Sequence, residues 1–338
     1  MATVLRVNLG NGSIRKEAVA EEVTRAFVGG RGVGTKLLFD AIGDPTIDAL
    51  DPRNPLIFAT GPLTGTYAPT GGRYMVITKS PLSGAVACSN SGGYFGPALR
   101  GAGYDYLLIE GAAREPVYLW IHDDQVEVRA ARHVWGKLVA ETEDILKQET
   151  HPDAKVALIG PGGETRSRVA CVMNDKGRAA GRSGVGAVMG AKNLKAVVAY
   201  GTRGVRVVNP QRFVQSAKRA VQAVAKSPVG SGLTMLGTAG TVTYMNTVGM
   251  LPTNNFQRGV FPGAKKVDGE TVRRDFMTRN RGCHSCTISC GRVTKITGHG
   301  DLDGHGEGPE YETIFGLGTT CGVENLAAVI KANYLCNE

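Results

Sequence analysis

The sequence lacks any apolar stretch approaching the roughly 20 residues that span a bilayer, which excludes a helical membrane protein. Its start, MATVLRVNL, has no basic segment followed by a long apolar core, so no secretory leader is expected. There is no Gly-X-Y period, which excludes collagen. Neither G-x-G-x-x-G after a strand nor G-x-x-x-x-G-K-[ST] occurs, so the familiar dinucleotide and P-loop fingerprints are missing. The seven cysteines are odd in number, which argues against a disulfide framework. Acids are scarce between residues 203 and 300, where fifteen lysines and arginines meet only Asp268, Glu270 and Asp275. The balance reverses in 301–338, where seven acids accompany the single cation Lys331. A basic block of this kind suits nucleic acid, acidic proteins or phosphorylated cofactors, or is a solvated face.

What is present is ordinary except for glycine. The chain has 338 residues, 42% of them hydrophobic and 20% charged, the composition of a soluble globular protein of about two domains rather than a disordered one. It has 47 glycines, about twice the usual share of roughly 7%. They gather in short loops, which implies backbone packed closely against a ligand.

The first two hundred residues read as strands and tight turns. Residues 4–9, a Gly10-Asn11-Gly12 turn and the run from Ser13 predict a hairpin, and 117–121, Asp123-Asp124 and 126–128 predict another. Residues 55–59, 74–78, 106–109, 156–159 and 196–200 are short apolar runs bounded by glycine or proline and predict strands. Helices are predicted over 33–42 and 138–149. Gly30-Arg31-Gly32-Val33-Gly34 echoes Arg182-Ser183-Gly184-Val185-Gly186, and Gly61-Pro62 with its following residues echoes Gly160-Pro161. Two similar halves about a pseudo-twofold axis would place a ligand between them. After Gly201 the texture becomes helical, from Pro210 to the Ser227-Pro228 stop and again over 325–336. The expected fold class is α+β, with a β-rich domain of two sheets over 1–205 and a mainly helical, truncated domain over 206–338.

The sharpest motif is Cys283-His284-Ser285-Cys286-Thr287-Ile288-Ser289-Cys290. Close thiolates in one loop suit a four-iron cluster, each iron of which takes one cysteine, so a fourth must come from elsewhere. Zinc is the rival, but Cys321 and Cys336 do not supply a second pair. Radical enzymes that use S-adenosylmethionine carry the reverse order, C-x3-C-x2-C. Cys88 and Cys171 read as buried small side chains. The loops 89–96 and 176–184 combine small residues with arginines, a chemistry suited to phosphate, or they are tight turns between strands. Among the acids of 301–312, only Glu310 and Glu312 stand beside apolar residues that could bury them.

Together these pieces resemble the aldehyde ferredoxin oxidoreductase family, tungsten or molybdenum enzymes with two pyranopterin ligands. The resemblance is carried by 29–40, 55–66, 71–80, 89–96, 103–111, 171–196, 251–257, 283–290 and 308–313, essentially the whole chain. It implies that the N-terminal domain forms the base for the paired pterins. It implies that Arg73, in GGRYMV, lies between cluster and pterin. Asn90, Ser91, Gly92, Gly93, Arg178, Ala179 and Arg182 would meet pterin phosphates and a bridging magnesium. Cys283, Cys286 and Cys290 match three [4Fe-4S] ligands. Tyr311 and Glu312, in PEYET, match an active-site pair, with Glu312 taking a proton from an apolar pocket beside the metal. The implied activity is oxidation of an aldehyde with water to a carboxylic acid, electrons passing through pterin and cluster to ferredoxin or an iron–sulfur partner subunit. A cytoplasmic homo- or hetero-oligomer is expected, without nucleic acid or membrane. A benzoyl-CoA reductase type of tungsten subunit and a non-catalytic electron-transfer fragment are the alternatives. The family's chains run longer, so a fragment or one piece of a split gene is expected.

Overall fold

β1 (Thr3–Asn8) and β2 (Ile14–Ala18) pair antiparallel across the glycine-bounded turn at residues 10–12, as the sequence predicts. The structure is a computed structural model describing residues 2–338. Two helices follow, α1 (Glu21–Phe27) and α2 (Arg31–Ala41), then β3 (Leu56–Thr60), β4 (Tyr74–Lys79) and β5 (Val86–Ser91). α3 (Phe95–Gly101) leads back to β6 (Tyr106–Glu110). These strands make one sheet ordered β2-β1-β6-β3-β4-β5, with β1 and β6 parallel and every other pair antiparallel.

The chain then repeats the same path. β7 (Val117–His122) and β8 (Gln125–Ala130) form a hairpin, followed by α4 (Val139–Glu149) and β9 (Lys155–Leu158). The one-turn α5 (Pro161–Glu164) precedes β10 (Val172–Asn174) and β11 (Arg178–Ala180), and α6 (Val185–Ala191) precedes β12 (Leu194–Tyr200). The second sheet reads β8-β7-β12-β9-β10-β11, again with one parallel pair, β7 and β12. Each strand of the first half thus has a counterpart six strands later. The echo of Gly61-Pro62 in Gly160-Pro161 is a true equivalence, since both follow the third strand of their halves. The other echo is not. Gly30–Gly34 opens α2, before the third strand, whereas Arg182–Gly186 opens α6, whose counterpart is α3. Glycine serves helix entry at both places, so local sequence likeness arose at positions the topology does not relate.

Packing explains the strand sequences. Leu5, Val7, Phe58, Val76 and Leu107 of the first sheet meet Leu119, Ile121, Ala157, Val197 and Ala199 of the second in one core, which also takes in Phe95 of α3 and Val188 of α6. The alternate residues face outward onto helices. Ile57, Ala59, Ile77 and Leu108 pack with Val33 and Leu38 of α2, and Trp120, Val156, Leu158 and Val198 pack with Val139 and Leu146 of α4. Central strands covered on both faces read as unbroken apolar runs, and this is what made them legible.

Two compact units result. One comprises the chain up to Phe213 together with Cys283–Ser285 and Glu338, the other Val214–Gly282 and Cys286–Asn337. In the second unit α7 (Pro210–Lys226, its first residues in the first unit), α8 (Pro228–Leu236) and α9 (Thr241–Thr247) precede a one-turn α10 (Gly269–Thr271). β13 (Met277–Arg281), β14 (Gly291–Ile296) and β15 (Gly304–Glu307) then form an antiparallel sheet, which the helical expectation had not included. A one-turn α11 (Tyr311–Thr313) and α12 (Leu326–Cys336), the latter capped by Asn325, complete it around Val242, Leu251, Val272, Ile314 and Ile330. No helix among the described residues is long and apolar enough to cross a membrane.

Candidate functional site

The edge strands β5 and β11 bring the two halves of the duplicated domain together. Asn90 on β5 stands opposite Met75, and Ala179 on β11 stands opposite Met173, so these two residues hold equivalent places in the two halves. Asn90 is exposed and its Oδ1 accepts from Arg73 Nη1 at 2.6 Å. Arg73 and Asn90 line a cleft of about 280 Å³ with Arg31, Gly61, Thr64 and Tyr74. Arg31, the first residue of α2, escaped the sequence reading although GGRGVG drew attention to its glycines.

Beyond β5 the chain turns at Gly92-Gly93, and here the absence of side chains is required. A Cβ on Gly92 would lie 2.8 Å from Cys283 Sγ and 3.8 Å from the Arg73 guanidinium carbon. Gly93 has φ +87°, and a Cβ there would fall 2.2 Å from Asp175 Oδ2. Residues 283–285 are strapped to the same turn and the loop before it. His284 N donates to Gly93 O at 3.2 Å, Thr70 N to Ser285 O at 3.1 Å, and His284 Nε2 lies 3.2 Å from Thr66 O. Thiol, guanidinium and exposed amide are therefore gathered around one glycine.

The structure turns the Ser91 side chain inward. This follows the alternation along β5, and there it is buried and its hydroxyl donates to Asn174 Oδ1 at 2.8 Å. Asn174 and Asp175 are the residues sequence reasoning missed most plainly. Fully buried Asn174 accepts from Tyr74 Oη at 2.9 Å and donates to Gly92 O at 3.0 Å and Asp175 Oδ2 at 2.7 Å. Burial in turn pushes the Tyr74 hydroxyl far above its ordinary range. Asp175 Oδ2 also accepts from Tyr94 N at 2.8 Å. The Asn-Asp-Lys-Gly run does signal a turn, but nothing local says that it will reach residues 91–94. Across the same junction Arg182, exposed, donates its backbone N–H to Ser89 Oγ at 3.0 Å, and Arg178 lies half-buried on β11 opposite Asn174.

Cys286 and Cys290 belong to the second unit. Ser285 and Ser289 adopt left-handed conformations, with φ 51° and 49°, which coil the cysteine run tightly. Arg292, 3% exposed, holds its end: Nη1 donates to Ser289 O at 3.2 Å and Cys290 O at 3.1 Å, and Nη2 to Leu233 O at 2.8 Å. Burial lowers the pKa of that guanidinium. A cavity of about 490 Å³ lies in this unit behind Thr287 and Ile288, lined also by Thr234, Arg273 and Asn280.

All seven cysteines lie outside disulfides, and the three of the loop are half-buried. Among the described residues no three His, Cys, Asp or Glu side chains already converge as a metal-holding group. The chemistry of the donor set, three thiols in one loop, nevertheless fits three ligands of a cluster, and a side chain on Gly92 would crowd the Cys283 thiol.

Tyr311 and Glu312 form α11, where Tyr311 N donates to Thr238 Oγ1 at 2.9 Å and the Tyr311 ring lies 5.2 Å from that of Phe315. Burial raises the Tyr311 pKa. Glu312 is exposed in this chain, whereas Ile314, two residues on, is buried. Glu310, at the N-cap, instead takes the hydroxyl of Thr238.

Family models cover nearly all of the chain. The N-terminal domain of aldehyde ferredoxin oxidoreductase matches residues 4–201, and domains 2 and 3 of the same enzyme match 215–338. The chain belongs to the aldehyde ferredoxin oxidoreductase family, a family of oxidoreductases. It is 50% identical over 337 residues to the tungsten-containing aldehyde ferredoxin oxidoreductase of Pyrococcus abyssi, covering 99% of this chain and 55% of that protein. The Pyrococcus furiosus enzyme of the same name is 46% identical over 336 residues, with the same coverage. Among solved structures, the active-site complex BamBC of benzoyl coenzyme A reductase with 1,5-dienoyl-CoA superposes with a TM-score of 0.87 at 29% identity, over 100% of this chain and 52% of that one. The chain thus spans about half the length of the relatives it matches.

Proposed function

We propose that this chain is the cofactor-base half of a tungsten-dependent oxidoreductase that converts an aldehyde and water to a carboxylic acid, releasing two electrons and two protons. Residues 1–205 would form the base for the paired pterins, and 206–338 would carry the cluster loop. The observation that carries the reading is the meeting of Arg73, Gly92 and the Cys283 thiol, an arginine beside a cluster ligand on a floor without side chains.

The bound group would supply the two-electron chemistry, which protein side chains cannot. Cys283, Cys286 and Cys290 would hold three irons of a [4Fe-4S] cluster. Arg73 would lie between cluster and pterin, and Arg178 would offer a bidentate donor to the pterin phosphates, with Arg182 beside it. Gly92 and Gly93 would let the phosphates approach the backbone. Asn90 and Ala179, at equivalent places in the two halves, suit a magnesium shared by two phosphates. Tyr311 orients the substrate side, and Glu312, whose carboxylate has no hydrogen-bond partner among the described residues, takes the proton released as the hydrated aldehyde is oxidised. Ferredoxin, or an iron–sulfur partner subunit, would accept the electrons in the cytoplasm, a setting that agrees with cysteines outside disulfides. The 50% identity to aldehyde enzymes, against 29% to the benzoyl-CoA reductase complex, favours aldehyde oxidation over ring reduction.

Pterin, tungsten and iron analysis of the anaerobically purified full-length protein tests this, together with aldehyde-dependent reduction of ferredoxin. Iron without pterin would leave only an electron carrier, and zinc in place of iron would overturn the cluster assignment.

A further inference from the structure

We propose that Asn174 is a positioning residue that aims the Gly93 N–H at the sulfur of the cluster held through Cys283, and so raises that cluster's reduction potential. The inference rests on the cluster reading above.

Asn174 is fully buried and uses its whole amide. Its oxygen accepts the hydroxyls of Tyr74 and Ser91, at 2.9 and 2.8 Å. Its nitrogen donates to Gly92 O and Asp175 Oδ2, at 3.0 and 2.7 Å. The orientation of the amide is fixed by its partners, because a carbonyl can only accept. Tyr74 and Ser91 come from β4 and β5, whereas Asn174 ends β10, so the second half of the domain grips the turn that ends the first.

The bond to Gly92 O has a consequence one atom pair further on. The Gly92–Gly93 peptide is trans, and in a trans peptide the C=O and the N–H point in opposite directions. With the carbonyl drawn to Asn174, the Gly93 N–H is turned away from it. That N–H has no acceptor among the described residues. Gly92 and Gly93 are both buried, so water does not readily satisfy it, and a buried unpaired amide is costly. The same turn is where a Cβ on Gly92 would stand 2.8 Å from Cys283 Sγ and where His284 N bonds Gly93 O. A cluster sulfur is the acceptor that this donor lacks. Donors to cluster sulfurs favour the more negative, reduced state and raise the potential. The step concerned is uptake of one electron by the cluster, with no bond of Asn174 made or broken.

The test uses the full-length holoenzyme. Asn174→Leu keeps the volume and removes every hydrogen bond, whereas Tyr74→Phe removes one arm of the same network and leaves the bond to Gly92 intact. Redox titration followed by electron paramagnetic resonance should show Asn174→Leu shifted to lower potential by roughly a tenfold change in the oxidised-to-reduced ratio, ~59 mV for one electron. Tyr74→Phe should stay near the parent value even if its thermal midpoint falls. An iron-loaded Asn174→Leu with unchanged potential, or equal shifts in both variants, overturns the inference while leaving the cluster assignment standing. A parent protein without iron fails the assignment itself. Should Asn174→Leu not fold, the parent enzyme labelled with 15N-glycine decides: a glycine nitrogen coupled to the reduced cluster in pulsed spectra is expected, and its absence rejects the donor.

Discussion

Gly92 and Gly93 are neighbours, yet replacing each with alanine should fail for different reasons. At Gly93 the backbone is left-handed and a Cβ would strike Asp175, so Gly93→Ala should lower stability by roughly 1–3 kcal/mol, read as a fall in denaturation midpoint. At Gly92 the nearest obstacle is the movable thiol of Cys283. Gly92→Ala should therefore keep its midpoint within roughly 1 kcal/mol and lose iron on anaerobic gel filtration, since the displaced atom is the proposed ligand. A variant that unfolds but retains iron would show that the thiol is not what Gly92 makes room for. Glu312 is a different case, because it is exposed and packs no core. Glu312→Gln keeps size and hydrogen bonding, so turnover of the complete enzyme should fall at least roughly a hundredfold, the lower end of what general-base catalysis contributes, with cluster and pterin retained. Near-normal turnover with full cofactor would move the proton to another group.

At the scale of elements, the duplicated sheet depends on buried polar clamps at its joints. Lys192, the C-cap residue of α6, sends its Nζ to Pro52 O at 3.0 Å and Gly111 O at 2.9 Å, tying two loops of the first half to the second. Burial lowers its pKa from 10.5 to about 8, partly opposed by Glu110 and Asp51. The sign follows from proton binding. Between pH 8 and 10.5 the unfolded chain still holds this proton while the folded one has lost it, so stability contributed by this site rises with pH across that window. Below pH 8 both states hold the proton and the burial penalty is constant. In Lys192→Met the rise should vanish from denaturant midpoints measured across the window, whatever the variant's overall stability. An unchanged slope would assign the titration to another group.

For the whole molecule, the two compact units bear on where the chain first yields. Residues 202–209, between β12 and α7, have no regular structure, and Val208 is 97% exposed. Arg203 is held by Asp124 and by a bond from its N–H to Gly101 O, whereas Arg206 has no partner among the described residues. Limited trypsin should therefore cut first after Arg206 and release a protected piece that contains the two six-stranded sheets. First cleavage within α4 or α12 instead would mean that those helices open more easily than the connector. The length relation to the relatives matters at this scale as well, because the matched relatives are almost twice as long as the region they share with this chain.

The sequence by itself determined the strands buried on both faces, because runs such as LIFAT and LKAVVAY have few other stable uses. It determined the hairpin turns, the helix start at Pro210 and its stop before Pro228, the cysteine spacing and the family, whereas the helix that begins at Pro228 itself was not read from it. It did not reveal β10 and β11, three residues each, or β5, whose alternating small polar residues resemble a loop. Such strands exist because neighbours complete their ladders, and those neighbours are remote in the chain. Only the tertiary structure decided that Ser91 faces inward, that Glu312 faces outward, and that Arg31 shares a cleft with Arg73. Only it joined Asn174 to Tyr74 and Ser91, partners 100 and 83 residues away. Periodicity and turn chemistry act over a few residues and are written locally, whereas a hydrogen bond between two halves of a duplicated domain depends on where both halves end in space.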